Sequence, residues 1–149
     1  MAILDSAQKW IAFEEGCQLT AYWDSQGHVW TIGFGHTPSY QGETMTPDEA
    51  AQTLGTDILI ATGDASHVVG DNTFDTFDPV RQAALTNMAF NLGERKLAQF
   101  NSFLEYVREA NWQSAHDDLL NNTAWAYELP GRAYRVATAL LTGEWPNVG

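Results

Sequence analysis

Three side chains in the first third of the chain have types and an order that could carry acid–base chemistry: Glu15, Asp24 and Thr31. Glu15 closes an apolar-periodic stretch just before Gly16, a residue at which helices commonly stop. A carboxyl there faces the negative end of the helix dipole, which disfavours its charge and favours a group able to give up a proton. Asp24 opens the turn-like stretch "DSQG", and Thr31 lies on the segment returning from it. Two carboxyl groups of unequal acidity flanking one bond are what glycoside hydrolysis uses. Each residue also has a plain reading. An Asp in a turn commonly closes an Asx-turn, a Glu near a helix end is usually solvated, and Thr is an ordinary strand residue. Composition and spacing leave both readings open.

The elements that must position these groups can be read from periodicity. Ile3 to Glu15 carries Ile3, Ala7, Trp10 and Ile11 on one helical face. "LTAYW" and "HVWTIGF" flank the turn and read as a β-hairpin or a three-stranded sheet, which must lean on helices to be stable. Thr46-Pro47-Asp48-Glu49 is a capping box that opens a helix running to about Thr62, with Gly63 as its stop. Residues 63–77 show no steady period and read as a loop. Asp78-Pro79 repeats the start signal before "VRQAALTNMAFNLG", a helix with little polar face and therefore central, ended by Gly93. Helices are further expected over Leu97–Glu109, Trp112–Leu120 and Pro130–Thr142, the last stopped by Gly143. The fold class is α+β, mainly helical, in one domain over residues 1–149. A small β lobe (13–46) and a larger helical lobe (64–149 with 1–12) are joined by a long helix (47–63). A cleft between such lobes is where ligand sites concentrate.

Bulk composition narrows the classes of partner. At 44% hydrophobic and 12% aromatic, the 149 residues can fill a packed core. Seven basic against 19 acidic residues give a formal charge of −12, which argues against nucleic acid. No apolar run approaches the ~20 residues of a membrane span, so stable membrane insertion is not expected. The N-terminal stretch lacks the pattern of a signal peptide, which implies a cytoplasmic product. The single cysteine, Cys17, reads as a small buried side chain. The four histidines show no metal-binding spacing, and "DNTFDTFD" lacks the glycine and closing glutamate of a calcium loop, so no metal is expected.

"FEEG", "AYWDSQGHVWTIGFGHT", "VRQAALTNMAFNLGERKLAQFNSFL", "NWQSAHDDL" and "LPGRAYRVATALLTGEW" together resemble the phage-type lysozymes, glycoside hydrolase family 24. The likeness runs in order along nearly the whole chain. It implies Glu15, not Glu14, as general acid, Asp24 as second carboxylate, and Thr31 as holder of the attacking water. It implies cleavage of the β-1,4 bond between N-acetylmuramic acid and N-acetylglucosamine in peptidoglycan, with inversion, without metal or organic cofactor. Thr37, Phe90, Asn91, Phe103, Asp118 and Arg132 fall at substrate-contact positions, with Phe103 and Asp118 changed in type from relatives. Arg132 matches an arginine that reaches toward the acid, where its charge opposes the helix-end effect. Asp57 matches the partner of His36, which points to a structural ion pair.

By the same resemblance the protein is a monomeric phage endolysin, held in the host cytoplasm until release to the cell wall. Two departures bear on this. The six residues between Asp24 and Thr31 are one more than relatives usually have, so the turn must absorb the extra residue, as by a bulge at Gly27-His28, or Thr31 changes face. The strong acidity also removes electrostatic steering toward an anionic wall. The alternatives are a glycosidase acting on chitin-type polymers and a catalytically inactive wall-binding or structural module on the same scaffold.

Overall fold

The computed structural model describes residues 5–148, which form eight helices and a two-stranded antiparallel sheet. The α+β, mainly helical class is as expected. The chain divides into two compact units, Met1–Leu59 with Val148 and Ile60–Asn147 with Gly149. No helix among the described residues is long and apolar enough to cross a membrane.

In the first unit, α1 (Ser6–Glu15) starts where Asp5 makes a capping box. Its carboxylate accepts from the Gln8 N–H at 2.8 Å, and the Gln8 amide oxygen accepts from the Asp5 N–H at 3.0 Å. Ile3, expected on this helix, lies outside the described residues. Trp10 and Ile11 are fully buried. Strands β1 (Gln18–Asp24) and β2 (Val29–Gly33) pair as an antiparallel hairpin. A third extended segment runs along the outer edge of β1. There the Ala21 N–H donates to the Glu43 carbonyl at 2.9 Å and the Met45 N–H to the Leu19 carbonyl at 3.0 Å. This segment covers part of an edge that would otherwise be open. Cys17 is exposed, contrary to expectation, because it falls between the end of α1 and the start of β1, on neither packed face.

Helix α2 (Pro47–Val69) begins with the anticipated box: Glu49 N–H to Thr46 Oγ1 at 3.1 Å and Thr46 N–H to Glu49 Oε1 at 2.9 Å. It does not stop at Gly63. Ala50, Leu54, Ile58, Ala61, Ala65 and Val69 are all buried, at intervals of four or three, so the apolar stripe passes straight through the glycine. A mid-helix glycine weakens a helix by about 1 kcal/mol, less than burial of the following turns contributes. The stretch read as a loop therefore holds the end of α2 and the short α3 (Asp71–Phe74), with Gly70 at φ +109° between them. Arg108 satisfies two of the last carbonyls of α2, those of Val68 and Val69, at 2.9 and 3.0 Å.

The second unit is built around α4 (Pro79–Leu97), whose Val80, Ala83, Ala84, Leu85, Met88 and Ala89 are buried as its apolar pattern required. Gly93, at φ +79° and ψ 162°, breaks the helical path, and one further turn carries the buried Leu97. Because Leu97 belongs to that turn, α5 (Asn101–Arg108) starts later than expected, after a non-helical Phe100. Helices α6 (Trp112–Asn122) and α8 (Pro130–Thr142) follow expectation closely, and Gly143 ends α8 in the left-handed region. The short α7 (Ala124–Glu128), capped by Thr123, was not anticipated, being too brief to show a period.

Asp78 and Arg81 fasten this unit. The Asp78 carboxylate caps α4 by accepting from the Arg81 N–H and also from its guanidinium, both at 3.1 Å. The same guanidinium donates to the Leu140 and Leu141 carbonyls of α8 at 2.7 and 3.1 Å and lies 4.7 Å over the Trp112 ring. Burial pushes the Asp78 carboxyl up, but the bonds and charge of Arg81 outweigh it and hold the group below the usual carboxylate range. A depressed carboxyl stabilises the fold above its unfolded pKa, near ~4, and loses that contribution as pH falls through the folded value. Asp78→Ala should therefore lower stability by about 1 kcal/mol at neutral pH. The gap between variant and wild-type melting temperatures should shrink below about pH 4.

Candidate active site

The first unit brings Glu15 and the hairpin together. Glu14 and Glu15 are adjacent in sequence but about 100° apart around α1. Glu14 accepts a hydrogen bond from the buried Trp10 indole at 2.9 Å. Glu15 instead lies against Gly35, where an added Cβ would run into its carboxyl oxygen. Gly35 belongs to a tight turn closed by two hydrogen bonds between Ile32 and His36, at 3.0 and 2.8 Å. Gly33 and Gly35 both take positive φ, +65° and +71°, which explains why glycine recurs in "TIGFG". His36 anchors the turn to α2 through Asp57, with Nδ1 2.6 Å from Oδ2, as expected for a structural pair.

The hairpin register decides which side chains share a face. Tyr22 pairs with Thr31, Trp23 with Trp30, and Asp24 with Val29. Side chains alternate along a strand and directly opposed residues point to the same side, so Tyr22, Asp24, Val29 and Thr31 form one face. Trp23 and Trp30 form the other, in edge-to-face contact at 5.8 Å. The extra residue is taken up in the turn Ser25–His28, where His28 adopts a left-handed φ of +53°. The irregularity in the ladder lies between Gln18 and Tyr22, not at Gly27-His28. Thr31 thus keeps the face of Asp24. Asp24 also acts as a turn former, accepting from the Gln26 N–H at 3.0 Å, so its two readings are compatible. Thr31 is buried, with a long 3.5 Å contact to the Val29 carbonyl.

Tyr22 was missed in the sequence. The available signal was its position two residues before Asp24, which places it on the same strand face. Burial raises its phenol pKa, and the charges of Asp24 and Glu15 raise it further. Thr37, one residue beyond the anchored His36, is exposed.

The remaining candidates belong to the second unit. Arg132 is buried, its Nε donating to Asn87 Oδ1 at 2.7 Å, while Asn87 Nδ2 is buried without a hydrogen-bond partner among the described residues. Asn91 accepts from the Trp125 indole at 2.8 Å, and Phe90 is half-buried. Asp118 and Phe103 line a groove of about 620 Å³ together with Ser102, Phe100 and Trp125. Asp118 accepts from Ser102 Oγ and Asn122 Nδ2, both at 2.8 Å. Phe90, Asn91 and Arg132 are not in the wall of this groove. The described residues contain no group of three potential metal ligands.

The pattern of the phage lysozyme family matches residues 12–140, a span that includes all of these positions. The chain belongs to that family. Among phage lysozyme relatives, the pre-baseplate central spike protein Gp5 of Enterobacteria phage T4 is 28% identical. That match covers 91% of this chain and 28% of the spike protein. A probable T4-type lysozyme 1 of Dictyostelium discoideum is 24% identical, over 95% of this chain and 96% of its own length. The peptidoglycan hydrolase gp36 of Pseudomonas phage phiKMV is 28% identical, over 85% of this chain and 14% of that protein. The chain therefore spans well under a third of both phage relatives and almost all of the amoebal one.

The contact between Gly35 and Glu15 can be tested against a glycine with positive φ and no neighbour. Gly42, at φ +89°, has nothing within 4 Å of an added Cβ. Gly42→Ala should cost backbone strain alone, about 1–3 kcal/mol. Gly35→Ala should melt lower than Gly42→Ala and should shift the carboxyl ¹³C resonance of Glu15, which Gly42→Ala leaves in place.

Proposed function

We propose that the protein is a peptidoglycan-degrading muramidase that hydrolyses the β-1,4 bond between N-acetylmuramic acid and N-acetylglucosamine, with inversion. The observation that carries this reading is the setting of Glu15 at the end of α1, within the same compact unit as a hairpin face bearing Asp24 and Thr31. Membership of the phage lysozyme family supports it, as does the name of the phiKMV relative, a peptidoglycan hydrolase. Glu15 donates a proton to the leaving oxygen, and Asp24 with Thr31 holds and activates the water that attacks the anomeric carbon from the opposite side. This chemistry needs only a carboxylic acid and a carboxylate, so no cofactor is invoked.

Thr37, Phe90, Asn91, Phe103, Asp118 and Arg132 contact the glycan in this reading. Aromatic rings beside hydroxyl, amide and carboxylate groups in the groove at Asp118 suit a sugar, which offers an apolar ring face and polar edges. The protein works as a monomer, stays in the host cytoplasm until it is released to the wall, and lyses the cell from there.

Mass analysis of digested peptidoglycan tests the bond and the acid together. Wild type should leave fragments with N-acetylmuramic acid at the new reducing end, and proton NMR should show the α-anomer forming first. Glu15→Gln, which cannot pass a proton, should lose about 10²–10⁴-fold in rate with its fold intact. Glu14→Gln should retain nearly full activity. A folded wild type that binds walls and releases no fragments would favour the inactive wall-binding module. Cleavage of chitin oligomers but not of peptidoglycan would favour the chitin-type glycosidase.

A further inference from the structure

The hairpin face that carries Asp24 and Thr31 also carries a side chain with no assigned task. Tyr22 stands directly across from Thr31 and two residues before Asp24. It is 40% exposed, so its ring is accessible from solvent beside these groups. Its hydroxyl makes no hydrogen bond to any described residue, although Glu15 and Asp24 are both close enough for their charges to act on it. A phenol in this setting is a poor acid: burial and two neighbouring carboxylates all oppose loss of its proton. It therefore remains a neutral O–H donor across the working range of the enzyme. The carboxylates around it can only accept when ionised, and the Thr31 hydroxyl is buried. A sugar chain over this face presents many acceptor oxygens, and the accessible, unengaged phenol of Tyr22 stands there to donate to one of them.

We infer that Tyr22 is a substrate-contacting residue of this site, its phenol donating a hydrogen bond to a sugar oxygen beside the bond being cut. The inference rests on the muramidase reading and adds to it a residue and a role. A Tyr at this position kept only for packing would do the same work as Phe, since the ring survives the exchange. A donor to substrate would not.

Tyr22→Phe should be compared with wild type and with Tyr40→Phe, an exposed tyrosine outside the hairpin face. The measurements are kcat and KM on soluble peptidoglycan fragments, together with thermal melts. Loss of one hydrogen bond to substrate predicts a fall of about tenfold in kcat/KM for Tyr22→Phe. Its melting temperature should stay within about 1 °C of wild type, and Tyr40→Phe should match wild type throughout. Unchanged kcat/KM in Tyr22→Phe, with an active wild type, overturns the inference and leaves the muramidase reading standing. A loss accompanied by a melting temperature clearly below that of wild type also overturns it, because the residue is then structural. A wild type that cleaves no peptidoglycan overturns the underlying reading and the inference with it.

Discussion

The register of the β1–β2 hairpin is the constraint on which the candidate site depends. Side chains alternate with a period of two, so a slip of one residue would move Thr31 away from Asp24 and bring Trp30 in its place. The four-residue turn Ser25–His28 sets this register, and His28 accepts a left-handed backbone to close it, a conformation uncommon outside glycine. The Trp23–Trp30 pair on the opposite face gives the register a packing preference, since aromatic cross-strand pairs add to sheet stability. The strand-like segment at Glu43–Met45 holds the outer edge of β1 in line. Turn, aromatic pair and edge together keep three polar side chains on one side of a small sheet.

The same economy explains the density of polar and glycine positions between Glu14 and Thr37. Trp10 engages one of two adjacent carboxylates, while the next is turned to a backbone with no Cβ. Gly35 lets the Gly33–His36 turn approach Glu15 closely, and the His36–Asp57 pair holds that turn to α2. Such positions contribute little to a hydrophobic core, and the unit relies for stability on Trp10, Ile11, Ile32, Ala50, Leu54 and Ile58. In the second unit, beside its apolar core, two arginines tie elements together. Arg81 joins a helix start to a helix end, and Arg132 is fixed by Asn87 on α4.

Much of this was legible in the sequence where one strong local signal acted alone. Capping boxes, proline starts and the apolar runs of α4 and α8 announced their helices, and the Asp24 turn announced the hairpin. Reading failed where a local signal met a tertiary one. Gly63 looked like a stop, but the buried stripe from Ala50 to Val69 carries the helix through it. Cys17 looked like core because cysteine usually is, yet it falls between two elements. The extra residue before Thr31 could be counted, but whether turn or strand absorbed it depended on a backbone conformation at His28 that no composition encodes. Tyr22 escaped notice for a related reason: its importance lies in its cross-strand neighbour, which only register reveals.

Register can be measured directly in solution. In a two-dimensional NOE spectrum of the assigned protein, the γ-methyl of Thr31 should show contacts to the β protons of Tyr22, because directly opposed Cβ atoms lie about 4.5–5.5 Å apart. Contacts from that methyl to the β protons of Trp23 or Ala21 would mean that the strand has slipped. Thr31 and Asp24 would then lie on opposite faces, and the account of the site would fail.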